Sequence, residues 1–331
     1  MKERFPDKRR PEINFKDTTA EIRRQIEYSQ KVEIAQQEAT WHCYGEYPEL
    51  PVAVVYMTDI HFGAKGVDYD MLEQHLETIK NTPNMFLLVG GDVIDAFSPT
   101  KHSTGMSEDA IGPDEQAEAM MDMLSEMDRL GKLGGVQIGN HDDWSLLAGY
   151  RFERFLSELQ CPVFSGAGNI NIMVGDGGET YRTYWSHTHW GNSKLNITNA
   201  AKRAMQFSSP NAEIALLGHV HQGSVEHFDI AGEDKIAIIG GTYKQKDAWA
   251  GKWGMTTPGK PGYTLFLWPN EHRKEVFRTP EFARDTIINA IRNKEEDGYE
   301  DPYTEMIRRL NLLREQTYLR EEREANERKT D

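Results

Sequence analysis

The stretch PVAVVYMTDIHFG, residues 51–63, joins a continuous apolar run to a polar end. An unbroken apolar run over residues 51–57 is typical of a strand that is buried on both faces of a sheet. Three similar runs follow, MFLLVGG (85–91), GGVQIG (134–139) and EIALLG (213–218). Each of them ends in glycine, so the sequence predicts a buried sheet whose strands lead into tight turns.

Helical patterns separate these runs, at residues 69–81, 114–132 and 144–160. Strands that alternate with helices of this length predict β-α-β units. From residue 169 onward polar and apolar residues alternate instead, in the segments 169–174, 180–187, 223–230, 235–241 and 262–268. This alternation predicts a second sheet packed against the first, so the expected fold class is α/β.

Composition limits the classes of function. The net charge of −15 and a pI near 5.3 argue against a broad basic surface that coats nucleic acid, although a local basic path is compatible with them. The two cysteines, Cys43 and Cys161, form no CxxC pair. We therefore expect neither a disulfide framework nor a cysteine-ligated zinc site, and we expect a reducing, cytoplasmic setting. The charged opening residues and the lack of a long apolar stretch predict no signal peptide and no membrane span.

Polar side chains with metal-binding chemistry follow the apolar runs. They are Asp59 and His61, Asp92 and Asp95, Asn140 and His141, His187 and His189, and His219 and His221. In open α/β sheets, ligands gather beyond the carboxyl ends of the strands. Carboxylate, imidazole and amide groups without thiolates suit Mn, Fe or Zn. A carboxylate shared by two ions would hold them roughly 3.5 to 4 Å apart, the spacing used for displacement at phosphorus.

The ordered motifs D-x-H, GD-x-x-D, GNHD, H and GH-x-H resemble those of the calcineurin-like metallophosphoesterase superfamily, over residues 59–221. The resemblance implies a four-layer α-β-β-α sandwich and two divalent metal ions, with Mn preferred and Fe, Zn or Ni as alternatives. It implies that Asp59, His61 and His221 bind one ion. It also implies that Asn140, His187 and His219 bind the other ion and that Asp92 bridges the two.

The same resemblance assigns roles to two further residues. His141 would be the general acid that faces the leaving oxygen, and Asp95 would orient His141. His187 is preferred to His189 as the ligand because it directly ends the strand, which leaves His189 to contact substrate. Asp142 and Asp143 are interpreted as structural residues of the turn.

The motifs do not name the substrate. Asp95 is followed by Ala96 and Phe97 and lacks the phosphate-clamping arginine of the phosphoprotein phosphatases, which argues against that activity. Aromatic residues near the motifs suggest base stacking, and the candidate substrate contacts are His189, Trp190, Tyr243 and Lys244. The predicted function is a phosphodiesterase or nuclease that acts on a nucleotide or nucleic acid, with a metal-bound hydroxide as nucleophile. The alternatives are a phosphomonoesterase and a non-catalytic scaffold of the same fold.

The predicted organisation has three parts. Residues 1–50 would form an N-terminal helical extension, residues 51–278 the metallophosphoesterase catalytic domain, and residues 279–331 a C-terminal helical, charged tail. Apolar residues at helical spacing precede the charged end of that tail. The terminal helices are therefore candidate contacts for a second copy of the chain or for a protein partner.

Overall fold

The computed structural model describes residues 38–97, 105–145, 156–246 and 258–295, together with residues 19, 20, 22–24, 152 and 251. Within these residues the chain forms two six-stranded sheets. The strands of the first sheet are β2 (Val52–Met57), β3 (Met85–Val89), β4 (Leu133–Gln137), β5 (Val163–Phe164), β11 (Tyr263–Leu267) and β12 (Lys274–Phe277). The strands of the second sheet are β1 (Glu38–Cys43), β6 (Gly168–Val174), β7 (Thr180–Ser186), β8 (Ile214–Leu217), β9 (Gln222–Ile230) and β10 (Glu233–Gly241).

The strand order explains how one edge of each sheet can carry a site. The first sheet has the order β12-β11-β2-β3-β4-β5, and β2, β3, β4 and β5 are parallel. The second has the order β1-β6-β7-β8-β10-β9, and β7, β8 and β10 are parallel. The carboxyl ends of parallel neighbours lie at the same edge of a sheet, so the loops after these strands are brought together.

Helices cover the outer face of each sheet. They are α1 (Tyr69–Asn81), α2 (Pro113–Arg129) and α5 (Pro280–Glu295) on the first sheet, and α4 (Asn199–Arg203) with a π-helical turn at Ala204–Ser208 on the second. The short helix α3 (Asn140–Trp144) follows β4, and a 3₁₀ turn occupies Gly105–Ser107. The Asp68 carboxylate caps α1 by accepting a hydrogen bond from the backbone N–H of Met71 at 3.1 Å. Leu72 and Ile79 then face the first sheet from the buried side of α1.

Three hydrophobic clusters define the layers. The first joins α1, α2 and α5 to the outer face of the first sheet, the second fills the space between the two sheets, and the third joins α4 to the outer face of the second sheet. Alternate residues of β2 belong to different clusters, since Val55 faces the helices while Val54 faces the other sheet. The predicted four-layer α-β-β-α sandwich is therefore confirmed, and it is the fold that the resemblance to the metallophosphoesterases implies.

Three segments are placed differently from the sequence-based expectation. β1 lies within the segment predicted as a helical extension, yet it pairs in parallel with β6 and places Trp41 and Cys43 against the inter-sheet core. β11 was expected in the second sheet but pairs antiparallel with β2 in the first. Likewise α5, which was assigned to the C-terminal tail, packs through Ala283 and Ile287 into the main core. For β11 and α5 the local pattern identified the strand or helix but not its packing partner, whereas the strand β1 was not identified at all.

Other predicted segments lie largely outside the described residues. These are most of residues 1–37, most of the helix expected at 144–160, and the charged tail after residue 295. In the described part of the chain, no helix combines the length and apolarity needed to cross a bilayer.

Candidate metal centre

The loops after β2, β3, β7 and β8 meet at one place. The backbone N–H of Asp59 donates to Gly91 O at 2.9 Å, and that of His61 donates to Asp92 O at 2.9 Å, which ties the first two loops together. The N–H of Gly218 donates to His187 O at 3.0 Å in the second sheet. The two sheets are then joined at the site, because the N–H of His219 donates to the Asp59 carboxylate at 2.9 and 3.0 Å.

The structure brings the predicted ligands into adjoining groups. Asp59, His61 and His221 form one group and Asp92, His187 and His219 form another, and in each group one donor atom per residue lies within 4.8 Å of the others. His221 Nε2 lies 3.1 Å from Asp59 Oδ1, and His187 Nε2 lies 3.0 Å from Asp92 Oδ2. A third group joins Asp92 and His61 to His141. Asp92 Oδ2 also lies 3.9 Å from His61 Nε2, so Asp92 lies between the two ligand groups.

Hydrogen bonds fix the histidine tautomers so that ligand nitrogens point inward. His61 Nδ1 donates to Asp95 Oδ1 at 2.7 Å, and His187 Nδ1 donates to the Gly90 carbonyl at 2.8 Å. Neither acceptor carries a proton, so in the neutral ring each Nε2 has a free lone pair. His61 Nε2 and His221 Nε2 face each other at only 3.0 Å. Such outer hydrogen bonds are the usual means of orienting metal-binding imidazoles.

Asn140 gives the most direct test of whether a cation fits. Its Oδ1 atom is buried and has no hydrogen-bond partner among the residues that the structure describes. A buried polar oxygen without a partner carries a free-energy penalty of about 1–3 kcal/mol, which a bound cation would remove. Asn140 directly precedes His141, whose N–H donates to Asp92 Oδ1 at 2.8 Å. The oxygen and imidazole donors around it therefore suit divalent cations.

Buried carboxylates and imidazoles lie close together at the site and shift one another's pKa values. Burial alone would raise the pKa of Asp92, but the neighbouring His187, His141 and His61 lower it well below its usual value. Burial alone would lower the pKa of His187, yet the Asp92 carboxylate raises it to about 10. In the metal-free protein His187 is therefore protonated at neutral pH. A cation would have to displace that proton in order to use His187 Nε2.

The backbone at the ligands adopts an unusual conformation. Positive φ angles occur at Asp59, His61, Asp92, His219 and His221, with values between 50° and 69°. Non-glycine residues rarely occupy this left-handed region, and observed outliers cluster at functional sites. The sharp turns are thus made by the ligands themselves. Sequence patterns contain no signal for this feature, because glycine would have been the expected residue.

The glycines beside the ligands serve mainly to allow close approach. A Cβ atom on Gly139 would lie 2.2 Å from Asp92 Oδ1, and one on Gly218 would lie 2.7 Å from Asp59 Oδ2. Gly91 alone of the three combines a tight contact, 2.7 Å from His187 Nδ1, with a positive φ of 90°. The prediction that all three glycines make sharp turns is therefore correct for Gly91 only.

His141 sits beside the ligand groups in a partly aromatic pocket. Its Nδ1 donates to the backbone carbonyl of Asp95 at 2.5 Å, which leaves Nε2 for a substrate or a cation. The rings of Phe97 and Trp144 lie 5.2 and 4.0 Å from its ring centre. Burial lowers the pKa of His141 to about 4, although Asp92 acts in the opposite direction.

Asp95 is placed differently from the prediction. Its carboxylate lies 3.6 Å from His141 Nδ1, but it is much closer to His61 Nδ1, at 2.7 Å, and to the ammonium of Lys244, at 3.1 and 3.2 Å. Burial alone would raise the pKa of Asp95, and the hydrogen bond from His61 and the charge of Lys244 lower it. Asp95 therefore orients His141 through its backbone and orients His61 through its side chain.

Two supporting residues hold the loops in place. The Asp142 carboxylate accepts hydrogen bonds from the N–H groups of Val93, Ile94 and Gly139, at 2.8, 3.2 and 2.8 Å. Gln116 Oε1, on α2, accepts from the N–H groups of Asp95 and Ala96, at 3.1 and 2.9 Å. Asp142 was expected to be structural. Gln116 was missed, because a polar residue in an amphipathic helix predicts solvent exposure and nothing local indicates burial.

The predicted substrate contacts divide into two pairs. Trp190 is exposed and His189 is half-buried, and His189 bonds to Ser208 Oγ at 3.1 Å and to the Trp190 carbonyl at 2.8 Å. Tyr243 is fully buried and bonded to His75 Nδ1 at 2.7 Å, and Lys244 is buried against Asp95. Because both side chains are buried, Tyr243 and Lys244 are not the exposed substrate contacts that the sequence predicts. Residues 247–250 and 252–254 of the same lysine- and aromatic-containing stretch (240–254) lie outside the described residues.

Comparison with known proteins gave matches in three-dimensional structure only. No protein-family model and no curated protein matches the sequence. A Vps29 single mutant from Entamoeba histolytica aligns with 68% of this chain and 98% of its own, at 13% identity and a TM-score of 0.36. A protein described as a predicted phosphoesterase from Streptococcus pneumoniae aligns with 69% of this chain and 97% of its own, at 14% identity and a TM-score of 0.32.

A third similar structure is the nuclease MPE from Pseudomonas putida. It aligns with 68% of this chain and 87% of its own, at 14% identity and a TM-score of 0.31. Similarity at this level identifies no activity. The case for a function therefore depends on the site itself, whose grouped carboxylates and imidazoles are suited to divalent metal ions.

Proposed function

We propose that the chain is a two-metal phosphoester hydrolase, and specifically a phosphodiesterase that acts on a nucleotide or nucleic-acid substrate. The observation that carries the proposal is the pair of ligand groups, Asp59 with His61 and His221, and Asp92 with His187 and His219. Two divalent ions bound there would activate a water molecule and neutralise charge on the phosphoryl oxygens. Manganese fits the oxygen and imidazole donors, and iron, zinc or nickel are alternatives.

His141 is proposed as the general acid. Its Nδ1 proton is donated to Asp95 O, so Nε2 is the atom that would carry a proton to the leaving oxygen. Because burial holds its pKa near 4, a neutral ring is the resting state at neutral pH. The negative charge of a bound phosphodiester would favour the protonated ring, so protonation and substrate binding would be coupled.

Two alternatives make different predictions. A phosphomonoesterase would hydrolyse p-nitrophenyl phosphate and leave bis-p-nitrophenyl phosphate intact, whereas a diesterase would cleave the diester. A non-catalytic scaffold would bind little metal and cleave neither compound. We also propose that the protein works in the cytoplasm, since both Cys43 and Cys161 are free thiols.

The test uses the full chain, loaded with manganese, against both nitrophenyl compounds and against single- and double-stranded DNA. The matched variants are Asp92→Asn, which removes the proposed bridging charge, and Asp143→Asn, which removes an exposed carboxylate on α3. We expect diester hydrolysis that Asp92→Asn abolishes and Asp143→Asn preserves. Equal activity in the two variants, or hydrolysis of the monoester alone, would refute the proposal.

A further inference from the structure

Exposed aromatic rings lie on the loop after β7, which carries the proposed ligand His187, and on the π-helical turn at Ala204–Ser208. Trp190 and Phe207 are each 58% exposed, and their rings lie 6.2 Å apart with an angle of 26° between the planes. The His189 ring stacks on Trp190 with centres 5.5 Å apart. With Arg203, whose guanidinium carbon lies 3.7 Å from the Trp190 ring centre, these residues form what we call the stacking cluster. Large exposed aromatic side chains in contact with one another indicate a binding surface.

Arg203 lacks a counter-ion within the described structure. Its Nε atom is buried without a hydrogen-bond partner, and no carboxylate of the described residues pairs with it. The guanidinium instead lies over the Trp190 ring, and its carbon is 5.4 Å from the Phe207 ring centre. A guanidinium in this setting offers N–H donors to an anion and a flat face to an aromatic ligand.

The stacking cluster is continuous with the metal centre in two ways. Trp190 follows the proposed ligand His187 by three positions, and a Cβ atom on the next residue, Gly191, would lie 2.7 Å from Arg203 Cδ. Val220, between the ligands His219 and His221, packs against the cluster of small side chains on α4. The π-helical turn at Ala204–Ser208 then presents Phe207 outward, and such turns are frequent at functional sites.

We propose that the stacking cluster binds an unpaired base of a single-stranded nucleic acid whose adjoining phosphate lies at the metal centre. This inference rests on the proposed function and narrows its substrate class. Bases stack on Trp and Phe rings whatever the sequence, whereas the paired bases of a duplex present no free face. The net charge of −15 is compatible with this mode, because stacking supplies affinity without a broad basic surface.

The experiment measures binding and does not depend on turnover. Fluorescein-labelled dT8 and U8 are titrated with metal-free protein, and anisotropy is recorded for wild type, Trp190→Ala, Phe207→Ala and Trp190→Phe. We expect the alanine variants to bind both oligomers about 5- to 150-fold more weakly. Trp190→Phe, which keeps an aromatic face, should recover most of the affinity. The matched control is Tyr44→Ala, which removes another exposed ring, 56% exposed and next to β1, and should bind like wild type.

The outcomes separate this inference from the proposed function. Unchanged affinity in the alanine variants, or a duplex that binds as tightly as dT8, overturns the inference even if bis-p-nitrophenyl phosphate is hydrolysed. Conversely, stacking-dependent binding with no hydrolysis of any ester supports the inference and refutes the proposed function. Sedimentation velocity tests whether the stacking cluster is instead covered by a second copy of the chain. A wild-type dimer that becomes a monomer in Trp190→Ala would show that the cluster contacts a second copy of the chain, and would overturn the inference.

Discussion

Variants of the buried pair Asp95 and Lys244 can separate two roles of Asp95, which are to orient the proposed ligand His61 and to stabilise the fold. Both side chains are almost fully buried, and the ammonium lies 3.1 and 3.2 Å from the carboxylate oxygens. Removing one partner of such a pair leaves a buried charge and typically destabilises the fold by about 3–5 kcal/mol. Lys244→Met leaves Asp95 bonded to His61, whereas Asp95→Asn leaves Lys244 with Glu108, 3.8 Å away. The double variant removes both charges, so it should be more stable than either single variant.

Metal affinity should follow a different order. Loss of an outer carboxylate that orients a ligand histidine typically weakens metal binding by about 10- to 100-fold, or about 1.4–2.7 kcal/mol. Asp95→Asn and the double variant should show this loss, because both lack the carboxylate that accepts the proton of His61 Nδ1. Lys244→Met should bind manganese more tightly than either, since the Asp95–His61 hydrogen bond is retained.

The assay combines urea unfolding of the metal-free protein with calorimetric titration of Mn²⁺. The control is Lys235→Met, because Lys235 is equally buried but its ammonium bonds to the carbonyl groups of Pro210 and Ala212, at 2.9 and 2.8 Å. That variant should lose stability and keep wild-type metal affinity. If Asp95→Asn unfolds at lower urea but binds Mn²⁺ as wild type does, Asp95 has no role in orienting His61.

Three further predictions address proton transfer, loop support and pH. His141→Gln should slow cleavage of an unactivated diester by about 10²- to 10⁴-fold and that of a nitrophenyl ester much less, with metal content unchanged; equal losses for both esters would contradict a general acid. Asp142→Asn places an amide N–H against the backbone N–H of Gly139, so this variant should lower the free energy of unfolding by about 1–3 kcal/mol, measured by urea unfolding. The control variant Asp143→Asn should leave the free energy of unfolding unchanged. The pKa of His187 in the folded protein, about 10, lies above its value in the unfolded chain, about 6.5. The protonated His187 therefore stabilises the fold fully below about pH 6.5, and this stabilisation is lost as the pH rises through 10. The metal-free protein should therefore melt at lower temperature at pH 9.5 than at pH 7, and a His187→Asn variant should lack that decrease.

Much of the fold was predictable because its strongest signals are local. The apolar runs at 51–57 and 85–91 became β2 and β3, and the helix expected at 69–81 is α1 with the same bounds. What failed was pairing between distant segments. β1 is a half-exposed edge strand whose mixed polar and apolar residues are also compatible with an amphipathic helix. β11 pairs with β2, which is distant in sequence, and no local pattern predicts that pairing.

At the candidate site, too, local patterns predicted some features and missed those that depend on distant contacts. Residue types and spacing predicted which side chains converge, because parallel strands end at a common edge. They did not predict that Lys244 and Tyr243 turn inward, since a basic residue between aromatic ones is compatible with both a surface loop and a buried pair. Nor did they predict that Arg203 and Phe207, on a short helix without any motif, lie beside Trp190.

The left-handed backbone at the ligands has a consequence for evolution and engineering. Each such residue stores about 1–3 kcal/mol of conformational strain, and glycine would relieve much of it. Selection for thermal stability alone would therefore favour glycine at exposed ligand positions such as His219, and the replacement would remove a candidate ligand. Stability and activity would then oppose each other at the same positions, so a thermostable variant should be sought by changes elsewhere in the chain.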